Sequence, residues 1–168
     1  MGELSSMNHV PRPDRTALVV DDDPFVVSAL AELLEEEGFD VHTATNGFSA
    51  MRRAIEVRPL VILLDLALPE RSGTELLDDL RAEPATHDVA IVVVTGNADV
   101  LSEAHIAECD GVICKPFDVS ELLQTINRAV QRAASRRAEV APVAAVSHLT
   151  PALRARQPAS GRRARGRR

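Results

Sequence analysis

Short unbroken apolar runs alternate along this chain with stretches whose apolar residues recur three and four positions apart. The most defined run is Leu60–Leu64, branched aliphatic residues that end on Asp65, with Pro69 and Gly73 close behind. A run this short, bounded by turn residues, predicts a strand buried on both faces of a parallel sheet. Thr16–Val20 ends similarly on Asp21, Asp22 and Asp23, and Val89–Val94 ends on Thr95 and Gly96. Gly111–Cys114 is a short strand that stops at Lys115-Pro116-Phe117, and Asp40–Thr45 alternates as a strand nearer an edge would.

The intervening segments carry helical spacing. Asp23 is a suitable N-cap and Pro24 fits the first turn, where its missing N–H has no partner to lose. Val26, Leu30, Leu33 and Leu34 then form one apolar stripe through Phe25–Glu37, which Gly38 closes. Gly47–Val57 predicts a second helix with Ala50, Met51, Ala54 and Ile55 inward, and Pro59 ends the connection. Ser72-x-x-Glu75 is a capping box ahead of Leu76, Leu77 and Leu80, with Pro84 just past the helix end. Ala98–Glu108 is a weaker helix, and Asp118-x-x-Glu121 opens a last one with Leu122, Leu123, Ile126 and Val130 inward.

Five strands alternating with five helices imply parallel strands joined by right-handed crossovers. The predicted fold is α/β: a doubly wound, five-stranded parallel sheet in a three-layer, flavodoxin-like sandwich, without internal repeats. The domain spans residues 16–137. Residues 1–15, polar with two Pro, predict a disordered leader. Residues 138–168 are a basic tail rich in Ala, Pro and Arg that can bury too little apolar surface to order itself.

Composition adjusts this picture in three respects. Aromatic residues are only 2% of the 168, against 45% apolar, so the core must be aliphatic. The net charge of −6 is uneven: residues 140–168 hold seven Arg and no acid, leaving 12 basic against 25 acidic side chains in residues 1–139. No run is long enough to span a bilayer and the N-terminus has no signal-peptide core, so a cytoplasmic protein without a membrane partner is expected. The opening MGELSS loosely matches a myristoylation pattern at Gly2 and Ser6, with no second membrane signal beside it. Cys109 and Cys114 lack the further Cys or His of a zinc site and are expected to be buried thiols in a reducing compartment.

The chemistry gathers at the strand ends. In the sheet order 2-1-3-4-5 the first and third strands flank the point where the winding reverses, so Asp21, Asp22 and Asp65 converge there, with Thr95 and Lys115 beside them. Asp65 alone could simply begin a turn, and Asp23 is better explained as a helix cap than as a ligand. Three carboxylates this close require either a raised pKa on one of them or a hard cation, and oxygen-only donors suit Mg²⁺. A carboxylate nucleophile, a metal, a Lys and a hydroxyl together suit phosphoryl transfer to an aspartate.

The segments LVVDDDP (Leu18–Pro24), LLDLALPERSG (Leu63–Gly73), VVVTG (Val92–Gly96) and CKPF (Cys114–Phe117) resemble the four signatures of the receiver domain of two-component response regulators. The resemblance covers about residues 16–134. It implies Asp65 as phosphoacceptor, taking a phosphoryl group from a phosphohistidine on a sensor histidine kinase or histidine phosphotransfer protein. It implies Asp22 as the principal Mg²⁺ ligand, Asp21 as an assisting one, and the backbone carbonyl of Ala67 as another. Thr95 resembles the switch hydroxyl and Lys115 the phosphate-contacting cation, and the Lys115–Pro116 bond is expected to be cis. The five His match none of these signatures.

This chain departs from the family pattern on its output side. Val112 stands where an aromatic ring usually follows the switch, Gly96 where Ala is common after Thr95, and Glu108 where a helix-ending Gly is common. The fourth helix is therefore expected to be shortened or repacked. Beyond the receiver too few residues remain for a helix-turn-helix, so a stand-alone receiver is expected, acting through an output partner or as a phosphate shuttle in a relay. The Arg-rich tail offers phosphate contacts to nucleic acid without aromatics for stacking; a merely solvated tail explains it equally. Two rival functions are a receiver fold that binds a partner without phosphorylation and a metal-dependent phosphatase. The second is disfavoured because Ala67 replaces the acid such enzymes place two residues after the nucleophile.

Overall fold

The computed structural model describes residues 15–140, so residues 1–14 of the predicted leader, with the Gly2 and Ser6 pattern, and residues 141–168 of the predicted tail lie outside the described residues. Residues 138–140, expected to open that tail, instead continue the last helix. Five parallel strands form one sheet in the order β2-β1-β3-β4-β5: β1 Thr16–Val20, β2 Asp40–Ala44, β3 Val61–Leu64, β4 Ala90–Thr95 and β5 Gly111–Cys114. They alternate with α1 Pro24–Glu36, α2 Gly47–Val57, α3 Gly73–Ala82, α4 Glu103–Glu108 and α5 Val119–Val140.

The strands read as continuous apolar runs because both faces of the sheet are covered. Successive strand residues point to opposite faces. Leu18, Val20, Ile62, Leu64, Ile91 and Val93 join Ala50 and Ala54 of α2 and Leu76, Leu77 and Leu80 of α3. The intervening residues Ala17, Val19, Val61, Leu63, Ala90, Val92 and Val94 meet Leu30 and Leu34 of α1 and Leu122, Ile126, Ala129 and Ala133 of α5. Each buried Leu or Ile contributes roughly 1.5–3 kcal/mol, and of the four Phe only Phe39 is buried, in the second of these mainly aliphatic layers.

The predicted caps form as expected. Asp23 accepts from the Phe25 N–H, Ser72 and Glu75 make a reciprocal capping box, and Gly38 takes φ 91° just past α1, where a side chain would be strained. The Lys115–Pro116 bond is cis.

Three expectations need correction. Ile55 is 40% exposed, because the buried stripe of α2 is narrow and runs through Gly47, Ala50 and Ala54. The helix expected over Ala98–Glu108 is broken into a 3₁₀ turn, Ala98–Val100, and the short α4. Ser102 interrupts it: the Ser102 hydroxyl accepts from the His105 N–H while the His105 ring accepts from the Ser102 N–H, a cap geometry that competes with helix interior. Cys109 is buried, but Cys114 is exposed, since it ends an edge strand that α5 covers only in part.

Beneath the sheet lies a feature that the sequence patterns do not signal. Asp110, 3% exposed, accepts from the Ile91 N–H at 2.9 Å and from Arg81 at 3.0 Å, and it also pairs with Arg136. Arg132 donates to the Asp110 carbonyl and Arg137 to that of Asp88. These contacts tie the last turns of α5 to the body, and the helix runs through Arg136 and Arg137 to Val140.

Candidate functional site

The sheet places β1 and β3 side by side, with Val20 opposite Leu64, so the residues that follow them emerge together at the carboxyl end of the sheet. Carboxylate oxygens of Asp21, Asp22 and Asp65 lie within 4.8 Å of one another. Asp21 and Asp65 are 2% and 6% exposed, whereas Asp22 faces solvent. Each buried acid is held by backbone. Asp21 Oδ1 accepts from the Asp23 N–H at 2.9 Å, and Asp65 Oδ1 accepts from the Leu66 N–H at 2.8 Å. The Asp65 N–H in turn donates to the Val20 carbonyl at 2.8 Å, continuing the sheet ladder into the site.

Lys115 arrives from the end of β5. Its Nζ lies 2.5 Å from Asp21 Oδ2 and 3.5 Å from Asp65 Oδ2. Partial burial opposes the ammonium charge, but the hydrogen bond to Asp21 and the charges of Asp65 and Asp21 outweigh it and hold the pKa above the ordinary lysine value. Lys115 is thus a fixed cation facing an acidic cluster with net negative charge.

Thr95 is 2% exposed at the end of β4, between the Asp65 and Lys115 strands. Its Oγ1 is 3.3 Å from the Asn97 N–H and 3.5 Å from the Asn97 carbonyl, so the hydroxyl is engaged by its own turn rather than by the carboxylates. Ala67 is exposed two residues beyond Asp65. The structure therefore brings Asp21, Asp22, Asp65 and Lys115 into direct proximity and leaves Thr95 alongside, engaged elsewhere.

Gly73 is a supporting residue that pattern reading missed. A Cβ there would stand 2.5 Å from both the Asp65 carbonyl oxygen and the Leu66 Cα, so only glycine lets α3 begin against the loop that carries Asp65. The Gly73 N–H donates to the Leu66 carbonyl at 3.0 Å, closing that loop. In the sequence Gly73 reads only as a turn residue closing the Asp65 stretch, with nothing to show what packs against it. Val112, at the position of the usual aromatic, is half-buried and packs on the α2–α3 side of the core.

A family model described as the response regulator receiver domain matches residues 17–127. The chain belongs to that family. The receiver domain is 36% identical over 115 residues to the transcriptional regulatory protein KdpE of Mycobacterium tuberculosis, covering 68% of this chain and 50% of that protein. It is 34% identical to Protein Rrf1 of Nitratidesulfovibrio vulgaris, covering 67% and 80%. The chain spans about half the length of the regulators such as KdpE and MtrA that it matches. Among solved structures, response regulator TrrA of Thermotoga maritima, determined in complex with Mg²⁺-BeF, is 29% identical with a TM-score of 0.63, covering 68% of this chain and 98% of that one. A sensor protein from Polaromonas is 28% identical with a TM-score of 0.66, covering 71% and 98%. This receiver domain is therefore homologous to the response regulators of two-component signalling, and no helix among the described residues is long and apolar enough to cross a membrane.

Proposed function

We propose that the domain accepts a phosphoryl group on Asp65, in a Mg²⁺-dependent step, from a phosphohistidine of a sensor kinase or histidine phosphotransfer protein. It then signals by binding an output partner or by passing the group on. The observation that carries this reading is the convergence of Asp21, Asp22 and Asp65 within 4.8 Å beneath a single ammonium. Three carboxylates against one Lys leave negative charge uncompensated, and an all-oxygen donor set fits a hard divalent cation. Asp21, Asp22, Asp65 and the Ala67 carbonyl would hold Mg²⁺, and the bound ion supplies positive charge against the acids and the incoming phosphoryl oxygens.

The chain's own residues account for the remaining steps. An Asp65 carboxylate oxygen attacks phosphorus in line; a P–O bond forms while the donor's P–N bond breaks, and the imidazole nitrogen keeps the electron pair. The Leu66 N–H orients the attacking carboxylate by holding its other oxygen. Lys115, anchored by Asp21 and only 3.5 Å from Asp65, can meet a phosphoryl oxygen there without a large displacement. The Thr95 hydroxyl can exchange its long contacts with Asn97 for a phosphoryl oxygen. These roles describe a switch that is modified once per signal rather than a turnover enzyme.

Incubation with acetyl phosphate followed by intact-mass measurement tests the reading. A gain of one phosphoryl group with Mg²⁺, and none when Mg²⁺ is chelated, is the expected outcome. No gain under either condition would favour the alternative of a receiver fold that binds its partner unphosphorylated, to which Val112 gives some support. Multiple turnover of a phosphoester without accumulated mass would favour a phosphatase.

The lifetime of the phosphorylated state should depend on Ala67. An exposed methyl cannot hold a water by hydrogen bonding beside the acyl phosphate. Ala67→Asn is expected to speed dephosphorylation on the order of tenfold, about 1.4 kcal/mol in barrier. A decay rate equal to that of the wild type, followed by intact mass over time, would remove the Ala67 explanation.

A further inference from the structure

At the end of the sheet opposite the acidic pocket lies a cleft of about 320 Å³, lined by Arg58, Pro59, Pro84, Ala85, His87, Asp88, Val89 and Arg137. Its walls come from the end of α2, the connection from α3 to β4, and the last turns of α5. We propose that this cleft binds the carboxylate or phosphate group of a small anionic ligand.

The charges point that way. Two guanidinium groups from separate elements line the cleft in a domain whose body is strongly acidic. The one carboxylate present, Asp88, has its Oδ2 3.1 Å from His87 Nε2, a contact that becomes an ion pair only when the imidazole is protonated. The His87 ring is itself fixed by Nδ1 against the Pro84 carbonyl at 2.8 Å. Arg137 is anchored at the rim by one hydrogen bond, from Nη2 to the Asp88 carbonyl at 3.1 Å, which leaves further N–H donors of its fork for a ligand. Arg58 and Arg137, like Arg15, Arg52, Arg128 and Arg132, have no ion-pair partner among the described residues, so neither charge at the cleft is neutralised by a carboxylate.

Arg58 ends α2 with φ 46° and ψ 63°, the left-handed conformation that helix ends usually assign to Gly or Asn. Glycine would be less strained there, so the Arg58 side chain can be removed without disturbing the helix end. Planar guanidinium forks match carboxylate and phosphate oxygens in pairs. Pro59, Pro84, Ala85 and Val89 provide apolar walls without competing side-chain acceptors. The volume is at the lower limit of small-molecule sites, so it suits a compact anion rather than a nucleotide. An anion bridging Arg58 and Arg137 would also link α2 to the end of α5.

The test uses the full chain at constant ionic strength. Inorganic phosphate and succinate are titrated in turn while backbone amide resonances are followed by NMR. Saturable shifts at Arg58, His87, Asp88 and Arg137, distinct from any response in the Arg-rich segment after Val140, are expected for at least one of the two. Arg58→Gly removes the cation while suiting the left-handed backbone, so it should fold with an unchanged or higher melting temperature. It should weaken the apparent affinity at least about tenfold. Asp65→Asn should leave this binding unchanged, which separates the cleft from the phosphoacceptor reading. Shifts that grow linearly without saturating for both anions, or that persist undiminished in Arg58→Gly, would overturn the proposal.

Discussion

Asp65→Asn is expected to abolish the phosphoryl mass gain from acetyl phosphate and Mg²⁺ while leaving the fold intact. The amide is isosteric with the carboxylate, and its oxygen can still accept from the Leu66 N–H, now made at 2.8 Å. Lys115 keeps its 2.5 Å contact with Asp21, so no buried cation is stranded. What is lost is the anionic nucleophile, since a neutral amide oxygen does not attack phosphorus at a useful rate. Removing one of three clustered negative charges also relieves repulsion, so the melting temperature should stay level or rise. The measurement is intact mass with and without the donor, beside thermal unfolding of both proteins. A full mass gain in the variant would move the acceptor to Asp21, Asp22 or another residue and end the assignment to Asp65.

Asp110→Ala is expected to be the most destabilising of the substitutions considered. Asp110 is 3% exposed and receives the Ile91 N–H, Arg81 and Arg136. Truncation leaves the buried Ile91 N–H without its acceptor and takes the carboxylate away from two guanidinium groups, of which Arg81 keeps its bonds to the Glu108, His87 and Val89 carbonyls. Removing one partner of a buried pair costs about 3–5 kcal/mol. The lower figure applies because the Arg81 and Arg136 side chains are 14% and 39% exposed and can reach water. A loss of about 3 kcal/mol from a domain stable by roughly 5–15 kcal/mol would be plain in urea denaturation.

The same carboxylate should make stability depend on acid. Burial pushes the Asp110 pKa up, but the hydrogen bonds from Arg136 and the Ile91 N–H and the charges of Arg136 and Arg81 prevail, leaving it below the ordinary carboxylate value. A group whose folded pKa is depressed contributes stability that is fully present above its unfolded pKa, about 3.9 for Asp. That contribution is lost as pH falls from there through the folded value. Asp110→Asn should therefore show a flatter decline in unfolding free energy below about pH 4 than the wild type. Parallel curves would show that other carboxylates govern acid unfolding.

The elements and the acidic cluster were legible in the sequence for a common reason. Strands buried on both faces must be apolar at every position, so Leu60–Leu64 and Val89–Val94 stand out and their polar end residues with them. Caps are local chemistry, which is why Asp23 and the Ser72–Glu75 box were readable. The doubly wound order then places Asp21, Asp22, Asp65 and Lys115 at one mouth. Apolar periodicity alone was less informative where burial is partial. It assigns Ile55 to the interior and runs one helix through Ser102.

Only the tertiary structure decided the rest. That Lys115 is held chiefly by Asp21, that the Thr95 hydroxyl is engaged by Asn97, and that Gly73 permits α3 to abut the Asp65 loop are all contacts between or around segment ends. Asp110 is the plainest case. In the sequence it is a single acid in a turn, whereas in the fold it gathers Arg81, Arg136 and the Ile91 N–H from up to 29 residues away. Periodicity and caps record what a residue does within its own element. The partner of a buried charge is set by which elements pack together, and that information resides in the assembled sheet rather than in any one stretch of chain.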